Sequence, residues 1–204
     1  MFTQPLLRTV PRYETFSLTH TFDRCIIYHL IYHNSIKIHT NHLLLLHFYI
    51  FGIFFATTAA SSIENNVINV LVTVAVLLSI FEIIFTRCNL YGVSHVIFVI
   101  VPLVVAAHYL NETTKSNLTS YETVGIGLGI ALCSLLLQIA GHKLWEDFEA
   151  NAAISHGLLA APVLEWTCIF VRYYPTLPVN KKIWDEVDNA RQEAGIGRLT
   201  KIEE

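Results

Sequence analysis

The chain reads as an all-α protein: a polytopic membrane bundle of four transmembrane helices, with a shorter broken apolar helix and polar tails. Three observations predict this. The composition is 53% hydrophobic and only 14% charged, where a soluble domain carries roughly 25% charged residues. The apolar residues gather in runs that approach the roughly 20 residues needed to cross a bilayer. Short polar breaks bound those runs: SSIENN, TRCN, LNETTKSNLTS and GHKLWED.

Taken in order, residues 1–41 form a mixed N-terminal interfacial segment, in which Pro5 and Pro11 stop any early helix. The opening MFTQPLLRTVPRYETFSLTHTF, with Arg, Ser, Thr and one Glu, weakly resembles a mitochondrial presequence. From Thr21 to Ile38 the pattern turns amphipathic and places His29 and His33 one turn apart, as in a helix lying at a membrane surface. Residues 42–174 form the expected transmembrane bundle. Its four spans cover about 42–60, 67–85, 90–110 (with Pro102 inside) and 123–140. In the fourth, the i,i+4 pair Gly125/Gly129 would let a neighbouring helix approach closely, or else marks no more than ordinary bundle packing, the reading the pattern favours. A fifth apolar stretch, 158–171, is interrupted by Pro162 and Glu165, and its length suits a re-entrant or packed segment better than a span. Residues 175–204 form a polar C-terminal tail, with one surface helix expected over 180–194 ending near Gly195.

With four spans, both termini and the TRCN loop share one side of the membrane. That side would hold twelve of the thirteen Lys and Arg residues, leaving only Lys115 opposite. This asymmetry places the termini on the cytosolic or matrix side. The sequons Asn111-Glu112-Thr113 and Asn117-Leu118-Thr119 fall in the opposite loop. A net charge of −3 argues against a nucleic-acid surface. Cys25, Cys88, Cys133 and Cys168 are scattered and form no CxxC pair, so a cysteine zinc site is not expected. No G-x-S-x-G or Walker loop occurs, and the GIGLGI run lies in an apolar span.

The compositional anomaly is ten histidines, five of them (His29, His33, His39, His42, His47) between residues 29 and 47. His142 follows the fourth span, so the topology brings it to the same membrane face as His33–His42. On a helix His142 and Glu146 share a face. The pair suits either a shared metal or a hydrogen-bonded acid/base couple. Interfacial histidines also commonly bind headgroups, water or loop carbonyls. His47 is expected to pack with a local hydrogen bond, and His95 and His108 to face opposite interfaces. Glu82, near a span end, is expected to snorkel, and Glu165 is a candidate to line a cavity.

At Gly141-His142-Lys143-Leu144-Trp145-Glu146, then Ala161-Pro162, then Glu165-Trp166 and Tyr174-Pro175-Thr176-Leu177, the chain resembles a known family. These are the small membrane proteins typified by the fungal 2-hydroxy fatty acid dioxygenase, which act in fatty acid α-oxidation and phytosphingosine breakdown. Tyr32-His33 and His42 fit the spacing of that family's first motif. Ser35-Ile36-Lys37-Ile38 stands where the family has Asn-Pro-x-Asn, and Phe148-Glu149-Ala150-Asn151 where it has Arg-Arg-Pro-Ala. His39 and His47 offer a rival register. The resemblance covers roughly residues 25–195 and implies an iron(II) dioxygenase that shortens a 2-hydroxy fatty acid by one carbon. It implies His33, His42 and His142 as iron ligands, with His39 as a spare, and Glu146 as the residue that orients a ligand or moves a proton. Expected partners are membrane lipids and the 2-hydroxy acyl substrate. The rival reading is a non-catalytic accessory subunit of a larger membrane complex that keeps the fold. It would bring other subunits as partners and a mitochondrial inner membrane in place of the endoplasmic reticulum.

Overall fold

The computed structural model describes residues 21–33, 36–63, 70–145 and 154–193. These are helical with turns, and no strand occurs among them. In chain order the helices are α1 (Phe22–Tyr32), α2 (Ile36–Ile63), α3 (Val70–Phe85) and α4 (Leu90–His95). A π-helical turn (Val96–Ile100) then leads into α5 (Val101–Thr114), followed by α6 (Ser120–Trp145), α7 (Ile154–Tyr173) and α8 (Pro178–Glu193). Three helices are long and apolar enough to cross a membrane: Lys37–Ala60, Leu90–Thr114 and Ser120–Gly141. Of the four spans expected, the one at 67–85 appears as the shorter apolar helix α3, whose described length is 16 residues. The presequence-like residues 1–20 lie outside the described residues.

The chain divides into two compact units, residues 44–139 and residues 1–43 with 140–204. In the first, Ile50, Phe54 and Phe55 of α2 form a core with Leu71 and Ala75 of α3, Ile100 of the π turn and Ala107 of α5. The outward faces are apolar too: Leu77 and Ile84 on α3, Phe98, and Leu132 on α6 are all more than half exposed. Apolar surface on that scale suits lipid.

Glycine sets two close approaches in this unit. A Cβ on Gly52 would lie 2.6 Å from the Gly127 carbonyl oxygen, and one on Gly127 would lie 2.6 Å from the Ala56 nitrogen. The backbones of α2 and α6 therefore touch at this pair. The glycine that admits a neighbour is Gly127, and not the Gly125/Gly129 pair, around which a Cβ would meet nothing within 4 Å. The second approach is the α3–α4 turn. Arg87 and Cys88 take left-handed φ values of 54° and 56°. Asn89 caps α4 by accepting from the Gly92 N–H at 2.9 Å. A Cβ on Gly92 would fall 2.0 Å from Thr86 Oγ1, so only glycine lets α4 fold back this tightly.

In the second unit α1 is buried along its length from Cys25 to Leu30, so it packs as a core helix of this unit. Helix α8 runs where a surface helix was expected, but Asn180, Ile183, Val187, Ala190 and Arg191 bury one face of it. Pro178 occupies its first position, where a missing N–H costs nothing. The Arg191 guanidinium donates to the Ile31 carbonyl at 2.5 Å, satisfying a carbonyl in the last turn of α1. In α7 the run 158–171 is continuous helix through Pro162, although proline removes one rung of the ladder.

Gly127→Val should destabilise the protein by about 2–3 kcal/mol through overpacking. Gly125→Ala should be neutral or gain up to about 1 kcal/mol from the lower helix cost of alanine. Unfolding in detergent, followed by circular dichroism, separates the two.

Candidate metal centre

The site is built from α1, the first turns of α2, and α7. His29 lies in the last turn of α1, and His33 is the residue that ends it, its N–H donating to the His29 carbonyl at 2.8 Å. Helix α2 then starts at Ile36 and carries His39 and His42, three apart and so on adjoining positions of one face. Helix α7 supplies Glu165, fully buried, three residues after Pro162.

Glu165 ties the group together. Its Oε1 lies 2.5 Å from His29 Nε2 and its Oε2 lies 2.7 Å from His39 Nδ1. The His39 Nε2–H donates to the His33 carbonyl at 2.9 Å. The ring centroids of His33 stand 4.3 Å from His29, 6.1 Å from His39 and 5.4 Å from His42. Four imidazoles and a carboxylate thus occupy one buried volume.

The hydrogen bonds constrain the protons. A carbonyl only accepts, so His39 Nε2 carries a hydrogen. If His39 is neutral, its Nδ1 presents a lone pair to a carboxylate oxygen 2.7 Å away. Two lone pairs at that distance repel unless a proton lies between them. If Nδ1 is protonated, His39 is an imidazolium paired to Glu165. Burial by itself pushes the Glu165 carboxyl up. The charges of His29 and His39 and their hydrogen bonds overcome this and hold it well below the usual carboxylate range.

The donor set also fits a metal ion. One ligand atom each from His29, His39 and Glu165 lie within 4.8 Å of one another. Two imidazoles and one carboxylate with open positions form the facial triad that suits non-haem iron(II). The bond from His39 to the His33 carbonyl is the outer contact that fixes a ligand's tautomer and leaves its other nitrogen to bind.

Of the residues singled out in the sequence, the structure brings His33, His39 and His42 together. His142 lies in α6, and its side chain, like all of Glu146, is outside the described residues. His29 and Glu165 complete the cluster although neither belonged to the expected ligand set. Their signals were the i,i+4 spacing of His29 to His33 and a carboxylate inside an apolar run.

One turn beyond Glu165, burial and the Glu165 charge push the Cys168 thiol well above its ordinary value. Burial pushes Cys25 up to about 12. In the folded protein at about pH 8, iodoacetamide should therefore spare Cys25 and Cys168 and label exposed Cys88, as peptide mass spectrometry would read. Glu165→Leu leaves the imidazoles without their shared acceptor and should cost about 3–5 kcal/mol of stability, read from denaturant midpoints.

No family model matches the chain, and no curated protein or solved structure is significantly similar to it.

Proposed function

We propose that the chain is an integral membrane oxygenase that holds iron(II) on His29, His39 and Glu165 and acts on 2-hydroxy acyl chains. The observation that carries this reading is the buried carboxylate facing two imidazole nitrogens at 2.5 and 2.7 Å, with the far side of one ring tied to a carbonyl. A bound iron(II) would supply dioxygen activation at positions the three ligands leave open.

The chain's own residues would do the rest. Glu165 would complete the ligand set with the two rings it faces. The His33 carbonyl fixes the His39 ring. His33 and His42, beside the ligands, are placed to hold or move a proton. A 2-hydroxy acid offers a carboxylate and an adjacent hydroxyl as two oxygen donors, and its alkyl chain matches an apolar, lipid-facing protein. The resemblance read from GHKLWE and the following Ala161-Pro162 and Glu165 supports this substrate class.

For the membrane arrangement we propose α3 as a fourth span beside the three long apolar helices. Its mean composition is strongly apolar, and the Lys/Arg asymmetry then places both termini on the positive side of an endoplasmic reticulum or mitochondrial inner membrane.

The full chain, purified in detergent and loaded anaerobically, should bind one iron(II) in this unit. It should consume a 2-hydroxy fatty acid with oxygen, yielding an acid one carbon shorter. His39→Ala and Glu165→Ala should each lower iron affinity by 10-fold or more and abolish turnover, as expected for ligands. A well-folded wild-type protein with no iron and no turnover overturns the reading and leaves an accessory subunit, the role favoured by the altered segment Ser35–Ile38.

A further inference from the structure

A second titratable cluster lies within residues 44–139, a unit that contains none of the proposed metal ligands, and the proposed oxygenase chemistry does not use it. Glu82 on α3, His95 at the end of α4 and His47 on α2 meet inside the apolar unit. Glu82 Oε2 lies 2.7 Å from His95 Nδ1, and His95 Nε2 lies 3.0 Å from His47 Nε2. Glu82 and His95 are fully buried. Glu82 Oε1, also buried, has no hydrogen-bond partner among the described residues. Neither snorkelling of Glu82 nor an interfacial His95 is therefore what the fold does with these side chains. The tight α3–α4 turn at Gly92 folds one onto the other.

The chemistry of the contacts places the protons. An ionised carboxylate only accepts, so His95 Nδ1 carries a hydrogen and neutral His95 presents a lone pair at Nε2. The His47 nitrogen facing it must then be an N–H donor. The ring centroids are 5.3 Å apart while the two nitrogens are 3.0 Å apart. That combination needs both nitrogens pointing at each other nearly along one line. A metal ion on that line would need about 2.0–2.1 Å to each nitrogen, a gap near 4 Å. The observed separation fits a shared hydrogen.

Among the described residues of this unit no other Asp, Glu, Lys or Arg is buried. The other ionisable side chains described on α2 to α5 of this unit are half-buried Tyr49, buried Tyr91 one turn before His95, and the exposed Arg87, Cys88, His108, Tyr109, Glu112 and Lys115. Glu82 pairs with His95 through its Oε2. A buried carboxylate among apolar helices is costly unless it is neutralised, and intramembrane Glu/His chains are typical proton sites. The π turn that begins directly after His95 is a second mark, since such turns concentrate at functional positions.

We propose that His47, His95 and Glu82 form a proton relay that loads one proton into the apolar unit. A proton taken from water by the half-buried ring of His47 makes it an imidazolium. Its Nε2 proton passes to His95 Nε2, and the Nδ1 proton of His95 passes to Glu82 Oε2. The end state has two neutral imidazoles and a carboxylic acid. One proton has been gained, no electrons have moved, and reversal releases the proton.

Infrared difference spectra of the full chain in lipid nanodiscs, taken between about pH 5 and 8, test this directly. Acidification should produce a protonated-carboxyl C=O band that is absent in Glu82→Gln. His95→Asn strands the carboxyl without its partner, so the band should stand in the absolute spectra at both pH values and cancel from the difference spectrum. His47→Phe should keep the band but slow its appearance after a pH jump by about 10-fold or more, a change that a merely structural role would not produce. Circular dichroism establishes that each variant is folded, and wild type labelled with ¹³C-glutamate checks the band without any substitution. An identical difference spectrum in wild type and Glu82→Gln overturns the proposal. So does a tightly bound cobalt(II) that persists in His39→Ala and is lost in His95→Asn. Neither result bears on the iron reading, which rests on other residues.

Discussion

Glu165 is the constraint on which the unit built from α1, α7 and α8 depends. A carboxylate at 0% exposure is tolerable only where charge or hydrogen bonds compensate it, and here both oxygens face imidazoles. Meeting that need draws the end of α1, the start of α2 and the middle of α7 together. The break between α1 and α2 follows from the same demand. His33 ends the first helix in extended backbone, and its carbonyl is then free to accept from His39. The polar burial of this unit is unusual in extent, with Arg172, Asn180 and Arg191 also inside. Each of these either caps a helix end or sits among opposing charges, as with the Asn180 amide on the Tyr174 carbonyl at 2.8 Å.

The unit of residues 44–139 solves a different problem. Its exposed faces are apolar and its interior holds one carboxylate–imidazole–imidazole chain. Small residues govern how its helices meet: Gly52 against Gly127, and Gly92 against Thr86. In an apolar environment helices gain little from burying more apolar surface, so close backbone contact and internal hydrogen bonds carry the association. The capping box at the start of α6, in which Thr119 and Glu122 bond reciprocally at 2.8 and 3.3 Å, fixes where that helix begins.

Both clusters use the same grammar. A buried glutamate orients an imidazole by one ring nitrogen and leaves the other nitrogen committed to a second partner. The difference lies in convergence. Around Glu165 the donor atoms converge on a common volume, which suits a cation. Around His95 they run in a line, which suits a proton. Residue type alone does not distinguish the two cases, because each contains histidines and one glutamate.

Sequence by itself determined the helical class, the apolar helices and their approximate ends. Those properties follow from local composition and from the length of apolar runs, which neighbours along the chain encode. It also marked the histidine concentration and the odd position of Glu165 within an apolar stretch. The partners could not be read in the same way. Glu165 meets His29 and His39 across 136 and 126 residues of chain, and His47 meets His95 across 48. Helical periodicity says which face a residue occupies but not which other helix that face will meet. The same holds for the glycines, where the spacing Gly125/Gly129 pointed to one face and packing used Gly127 on another. Only tertiary structure chose among the histidines, because only there do the desolvation of a carboxylate and the geometry of its acceptors act together.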